Sequence, residues 1–187
     1  MIKKFFDDYK RRLNDCMQFY DWSTVALLAE KIKFAQQEDK HIFLCGNGGS
    51  AANAIHIAND FLCLRSKGKG AKVVALPANQ AILTCLANDT GYENIFAAQL
   101  EQLGGAGDIL IVLSGSGNSS NILKAIAAAK KMDILTCAIL GFDGGKCLNL
   151  VDIPIHFSIK DMQIAEDLQL IVGHMLMQWF NKGLPDG

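Results

Sequence analysis

Apolar residues along this chain keep two rhythms, and the switches between them mark out its elements. From residue 1 to about 38 there is no Gly or Pro. Phe5, Phe6, Tyr9 and Leu13, then Val25, Leu28 and Ile32, recur near helical spacing. Asp21 and Ser23 are helix-starting side chains, so this segment predicts two helices with a break near 21. Short unbroken apolar runs then occupy 41–45, 72–76, 109–113, 134–140 and 153–157, with Pro77 closing the second. Between them helical spacing returns over about 50–64, 79–87, 91–103, 120–132 and 161–182. Asn88-Asp89-Thr90-Gly91 reads as a break, Gly144-Gly145 as a turn into a short helix, and 182–187 as a frayed end. Strands apolar on both faces and separated by helices predict a five-stranded parallel sheet covered on both sides. No linker or low-complexity segment interrupts the pattern. Residues 1–187 therefore read as one α/β domain, a helical segment over 1–38 and a core over 39–182.

Two of the strand-to-helix turns are built from Gly, Ser and Asn. The first, Gly46-Asn47-Gly48-Gly49-Ser50, follows the 41–45 run; the second, Ser114-Gly115-Ser116-Gly117-Asn118-Ser119, follows the 109–113 run. Such turns offer unpaired backbone N–H groups and the positive end of a helix to an anion, and the hydroxyls add donors without charge. Strand order is not readable from the pattern. In a flavodoxin-like 2-1-3-4-5 order, however, the two helices leave on opposite faces and both loops line one crevice. Gly46, Gly48 and Ala51 match a dinucleotide fingerprint formally, but Ala75-Leu76-Pro77-Ala78-Asn79-Gln80 lacks the acidic residue that reading needs. The Gly-Lys-Ser/Thr of a nucleotide P-loop is absent as well. A sugar phosphate fits neutral loops better, with Asn47, Ser50, Ser114, Ser116 and Ser119 as phosphate and hydroxyl partners. Gly48 and Gly117 would permit close backbone approach.

Composition narrows the picture further. The net charge of −1 gives no footprint for nucleic acid or an anionic membrane. Cys16, Cys45, Cys63, Cys85, Cys137 and Cys147 are scattered without metal-knuckle spacing and read as reduced, mostly packed thiols. The amino end lacks the apolar centre of a signal peptide, and no run approaches a membrane span, so a cytoplasmic protein is expected.

Four titratable side chains form two helical pairs. His56 and Asp60 are four apart after the first loop, and Glu166 and His174 lie two turns apart on the last helix. Two imidazoles and two carboxylates suit a divalent metal or divided acid–base duty. By spacing alone, each pair is more often a surface or packing pair than a metal site. His41 and His156 read as structural, Lys130-Lys131 as a basic helix end, and Met175, Met177, Trp179 and Phe180 as packing or subunit contacts.

The stretch from Cys45 to His56, Leu86-Ala-Asn-Asp89, Gly104 to Asp108, Ser114 to Ser119, Asp143-Gly-Gly145 and the Glu166…His174 helix resemble the sugar-isomerase (SIS) superfamily. Within it the chain is similar to the sedoheptulose-7-phosphate isomerase, or phosphoheptose isomerase, family from about residue 25 to 182. The resemblance implies an SIS domain, a homotetramer with active sites between subunits, and amino-terminal helices that serve assembly. It implies conversion of sedoheptulose 7-phosphate to glycero-manno-heptose 7-phosphate through an ene-diol, and a divalent metal, often zinc. His174 matches the family's catalytic histidine, and Asp60 stands where the family has its catalytic glutamate. His56 and Glu166 fall at positions used around the metal, and Asp89 at one that contacts substrate.

The chain also departs from that pattern. Asp60 is one methylene short, Glu166 replaces Gln, and Gly115 stands where Thr is usual. Arg65, Lys67 and Lys69 are the only positive charge near a missing Gly-Arg-Tyr. Two rivals remain. One is a non-catalytic SIS protein that binds a protein partner, as DnaA initiator-associating proteins do. The other is an isomerase or sensor for a different sugar phosphate. Convergence of His56, Asp60, Glu166 and His174 in one pocket is the observation that separates the first rival from an enzyme.

Overall fold

A computed structural model describes residues 1–63 and 71–182. Arg65, Lys67 and Lys69, with the carboxyl-terminal residues 183–187, lie outside the described residues. The chain runs α1 (Ile2–Gln18), α2 (Ser23–Gln37), β1 (His41–Gly46), α3 (Gly49–Leu62), β2 (Lys72–Ala75) and α4 (Gln80–Thr90). It continues with α5 (Ala97–Leu103), β3 (Ile109–Ser114), α6 (Ser120–Lys131), β4 (Leu135–Leu140), β5 (Ile153–His156) and α7 (Met162–Lys182). Short 3-10 turns at Tyr92–Asn94 and Lys146–Asn149 precede α5 and β5.

All five strands are parallel, in the order β2-β1-β3-β4-β5. The unbroken apolar runs come from burial on both faces. On β1, Ile42 and Leu44 enter one core while Phe43 and Cys45 enter the other; Ile109, Ile111 and Leu113 alternate with Leu110 and Val112 on β3 in the same way. The first core is closed by α2, α3 and α7 through Leu28, Ile32, Ile57, Phe61, Leu168 and Val172. The second is closed by α5 and α6 through Leu100, Ile122, Ile126 and Ala129. Neighbouring strands β1 and β3 thus send α3 and α6 to opposite faces, the topology of a switch point.

One expected boundary is corrected. Asn88, Asp89 and Thr90 are not a turn: α4 runs through them and stops at Gly91, whose φ of 97° only glycine adopts readily. Thr90 bonds back to the Leu86 carbonyl at 2.8 Å, which satisfies its hydroxyl inside the helix.

Candidate active site

Helices α3 and α7 lie side by side and run in the same direction. Asn53 Nδ2 donates to the Glu166 carbonyl and to Gln169 Oε1, both at 3.0 Å. One turn on, Gly173 lets the helices close: a Cβ there would stand 2.6 Å from Ile57 Cγ1. At the next level His56 Nε2 and His174 Nε2 are 2.9 Å apart. Asp60 Oδ2 completes a triangle, 3.4 Å from His56 Nε2 and 3.6 Å from His174 Nε2.

The three ligand atoms lie within 4.8 Å of one another. A tetrahedral zinc site with bonds of about 2.0–2.1 Å has edges of about 3.3 Å, so these side chains fit such an ion. Glu166, expected to share that site, stands apart from the triangle. Its carboxylate lies instead against Gly49, where a Cβ would overlap it. Three of the four expected groups converge, an arrangement of titratable side chains for which a protein-binding scaffold has no use.

The first loop is tied to α6, the helix that follows the second loop. Asn47 Nδ2 donates to Asn121 Oδ1 at 2.9 Å, and Asn47 Oδ1 accepts from Asn121 Nδ2 at 2.8 Å and from the Tyr92 hydroxyl at 2.9 Å. Asn47 is therefore largely committed to holding the first loop against α6. Asn121 and Tyr92 were not expected as site residues. The available signal was Asn121, a polar residue in the first turn of a helix whose neighbours Ile122, Ala125 and Ile126 are core.

The other loop residues divide by what they already bond. Ser114 Oγ is buried and accepts from Gly117 N at 3.0 Å, and Ser116 Oγ accepts from Asn118 N at 3.4 Å. Ser119 is the N-cap of α6 but makes no side-chain cap bond, and Ser50 is buried in the first turn of α3. Gly48 has φ 54° and open space where a side chain would stand, as the close-approach reading requires. Gly117 differs. A Cβ there would run into the Gly144 carbonyl, so this glycine serves packing against the Gly144-Gly145 turn and not ligand approach. Asp89 is exposed on α4, bonded to its own neighbours Cys85 and Asn88, and the structure does not bring it to the triangle.

His156 Nε2 donates to the Phe142 carbonyl at 3.0 Å, and the His41 amide donates to Asp108 at 2.8 Å. Cys45, Cys137 and Cys147 are buried, and burial pushes the Cys147 thiol up to about 11. Cys63 and Cys85 are exposed, outside the packed reading.

A doubly wound parallel sheet with two Gly/Ser loops at its switch point and an imidazole–carboxylate triangle beside them defines a sugar-phosphate-binding class of protein. The model of the SIS domain matches residues 4–141. The phosphoheptose isomerase of Clostridium acetobutylicum is 39% identical over 158 residues, 84% of this chain and 81% of that protein. That of Helicobacter pylori strain Shi470 is 36% identical over 180 residues, 94% and 92% of the two chains. Among solved structures, phosphoheptose isomerase from Neisseria gonorrhoeae superposes with a TM-score of 0.89 at 28% identity over 97% of both chains. The chain belongs to the phosphoheptose isomerase family of SIS-domain proteins.

Proposed function

We propose that this protein is an aldose–ketose isomerase that converts sedoheptulose 7-phosphate to D-glycero-D-manno-heptose 7-phosphate, for heptose nucleotide synthesis in the cytoplasm. The observation that carries the reading is the His56–Asp60–His174 triangle beside two Gly/Ser loops, in a chain closely related to phosphoheptose isomerases.

The chemistry follows from atoms already placed. A carboxylate takes a proton from C1 of the ketose, and that C–H electron pair becomes the C1=C2 bond as the C2 oxygen gains a proton. The C1 hydroxyl then gives up its proton to become the aldehyde while C2 receives one. Asp60 turns Oδ2 toward both imidazoles, whereas among the described residues Oδ1 meets only a 3.5 Å contact from Asn59, so Oδ1 is the atom for carbon-bound protons. His174, through the ring nitrogen turned away from the triangle, moves the proton between the two oxygens. His56, Asp60 and His174 would hold a zinc ion, which when bound stabilises negative charge on those oxygens. Ser116, Ser119 and the amides of the second loop take the phosphate. Asn47, Gly48, Ser50 and Asp89 are assigned to the sugar.

Assembly belongs to the same reading. Phe5, Phe6, Phe19, Leu27 and Phe34 are exposed on α1, α2 and the turn between them, a face suited to a homotetramer with active sites between subunits. Among the described residues no helix is long and apolar enough to cross a membrane.

The test is an NMR assay in D₂O of zinc-loaded protein with sedoheptulose 7-phosphate. Growth of an aldose anomeric signal with deuterium at C2 supports the reaction and its ene-diol. No conversion beside a working control enzyme rejects it.

A further inference from the structure

The placement of Glu166 carries an inference that rests on the isomerase reading. A Cβ on Gly49 would overlap both carboxylate oxygens of Glu166. Gly49 opens α3, a helix of 14 residues. The carboxylate therefore lies at the end of α3 where unpaired amides and the positive end of the helix gather. The backbone at Glu166 is fixed there, because its carbonyl accepts from buried Asn53. Among the described residues, no hydrogen bond or ion pair engages the carboxylate itself. The glycines of the second loop face no carboxylate in this way among the described residues. A Cβ at Gly115 would meet the Met162 thioether at 2.5 Å, and one at Gly117 the backbone of Gly144.

We infer that Glu166 is a specificity-determining residue: it supplies the first loop with an anion of its own and turns phosphate away from it. The substrate must then bind in one sense. Its single phosphate goes to the second loop, and its uncharged polyol and carbonyl end faces Glu166 and the triangle. A sugar phosphorylated at both ends has one phosphate too many for this site. Like charges a few ångströms apart disfavour such a ligand by about tenfold or more.

The experiment compares binding of sedoheptulose 7-phosphate and sedoheptulose 1,7-bisphosphate by calorimetry. It uses the full-length zinc-loaded protein, wild type, E166Q and E166D, with zinc content measured on each. The wild type is expected to prefer the monophosphate by at least about tenfold. E166Q is expected to lose most of that preference and E166D to keep it, with equal zinc in all three. Equal binding of both sugars by the wild type, or an unchanged preference in E166Q, overturns the assignment. Zinc lost from E166Q makes Glu166 a ligand and overturns it too. A wild type that keeps the preference yet turns nothing over sinks the isomerase reading and supports the specificity role. Binding of neither sugar overturns both.

Discussion

The proposed function gives His174 two parts, proton carrier and one corner of the donor triangle, and the two separate experimentally. His174→Ala is expected to lower kcat by about 10²–10⁴-fold, the usual span for a general acid–base group. Zinc content measured alongside shows how much of that loss follows the metal. Asn121 acts differently, because it touches Asn47 and not the triangle. Asn121→Ala leaves Asn47 with only the Tyr92 hydroxyl. It should cost about 1–2 kcal/mol in urea unfolding and raise KM for the sugar phosphate more than it lowers kcat. His56, Asp60 and His174 were legible because the family resemblance singles them out among helical pairs that spacing alone leaves ordinary. Asn47's partners were hidden, being 45 and 74 residues away with no local pattern to betray them. Glu166 was legible as a site residue but not in its place, which depends on Gly49 having no side chain.

At the level of elements, the site stands or falls with the contact between α3 and α7. Gly173→Ala would set a methyl group against Ile57, and overpacking of this kind costs about 1–3 kcal/mol. Ile57→Ala should relieve that strain, so the double variant is expected to be more stable than the sum of the single changes, read from urea midpoints. The start of α7 is held separately. Asp161 accepts from Ile164 N at 3.2 Å and from Arg12 at 2.6 Å, while Tyr9 donates to Asp167 at 2.5 Å, pinning α1 across the first turn. The Arg12 guanidinium, helped by that backbone amide, holds the Asp161 carboxyl below its usual range. A depressed folded value means stability that is present above the unfolded pKa of about 3.9 and lost as pH falls through the folded one. Asp161→Asn should therefore be less stable than wild type at neutral pH and lose less between pH 5 and 3. Equal acid sensitivity of the two proteins would remove Asp161 from this role. Helix periodicity showed where α3 and α7 lie. Their parallel alignment was not legible, since it depends on Gly173 and on side chains that meet only after the sheet has formed.

Across the whole molecule, the strand order had to come from the structure, whereas the unbroken apolar runs of β1 and β3 already called for a core on each face of the sheet. The exposed Phe5 and Phe6 on α1 are where the proposed assembly is tested. Replacing Phe5 and Phe6 with Asp is expected to yield smaller particles by light scattering without unfolding the sheet, since neither residue is in a core. The distance in sequence between the two imidazoles bears on how the protein is made. His56 and His174 are 118 residues apart, and His174 lies on the last helix. During synthesis the sheet and α3 leave the ribosome while the His56–Asp60–His174 triangle still lacks a corner. The proposed site is thus assembled only once α7 has been made, however early the loops and the sheet are complete.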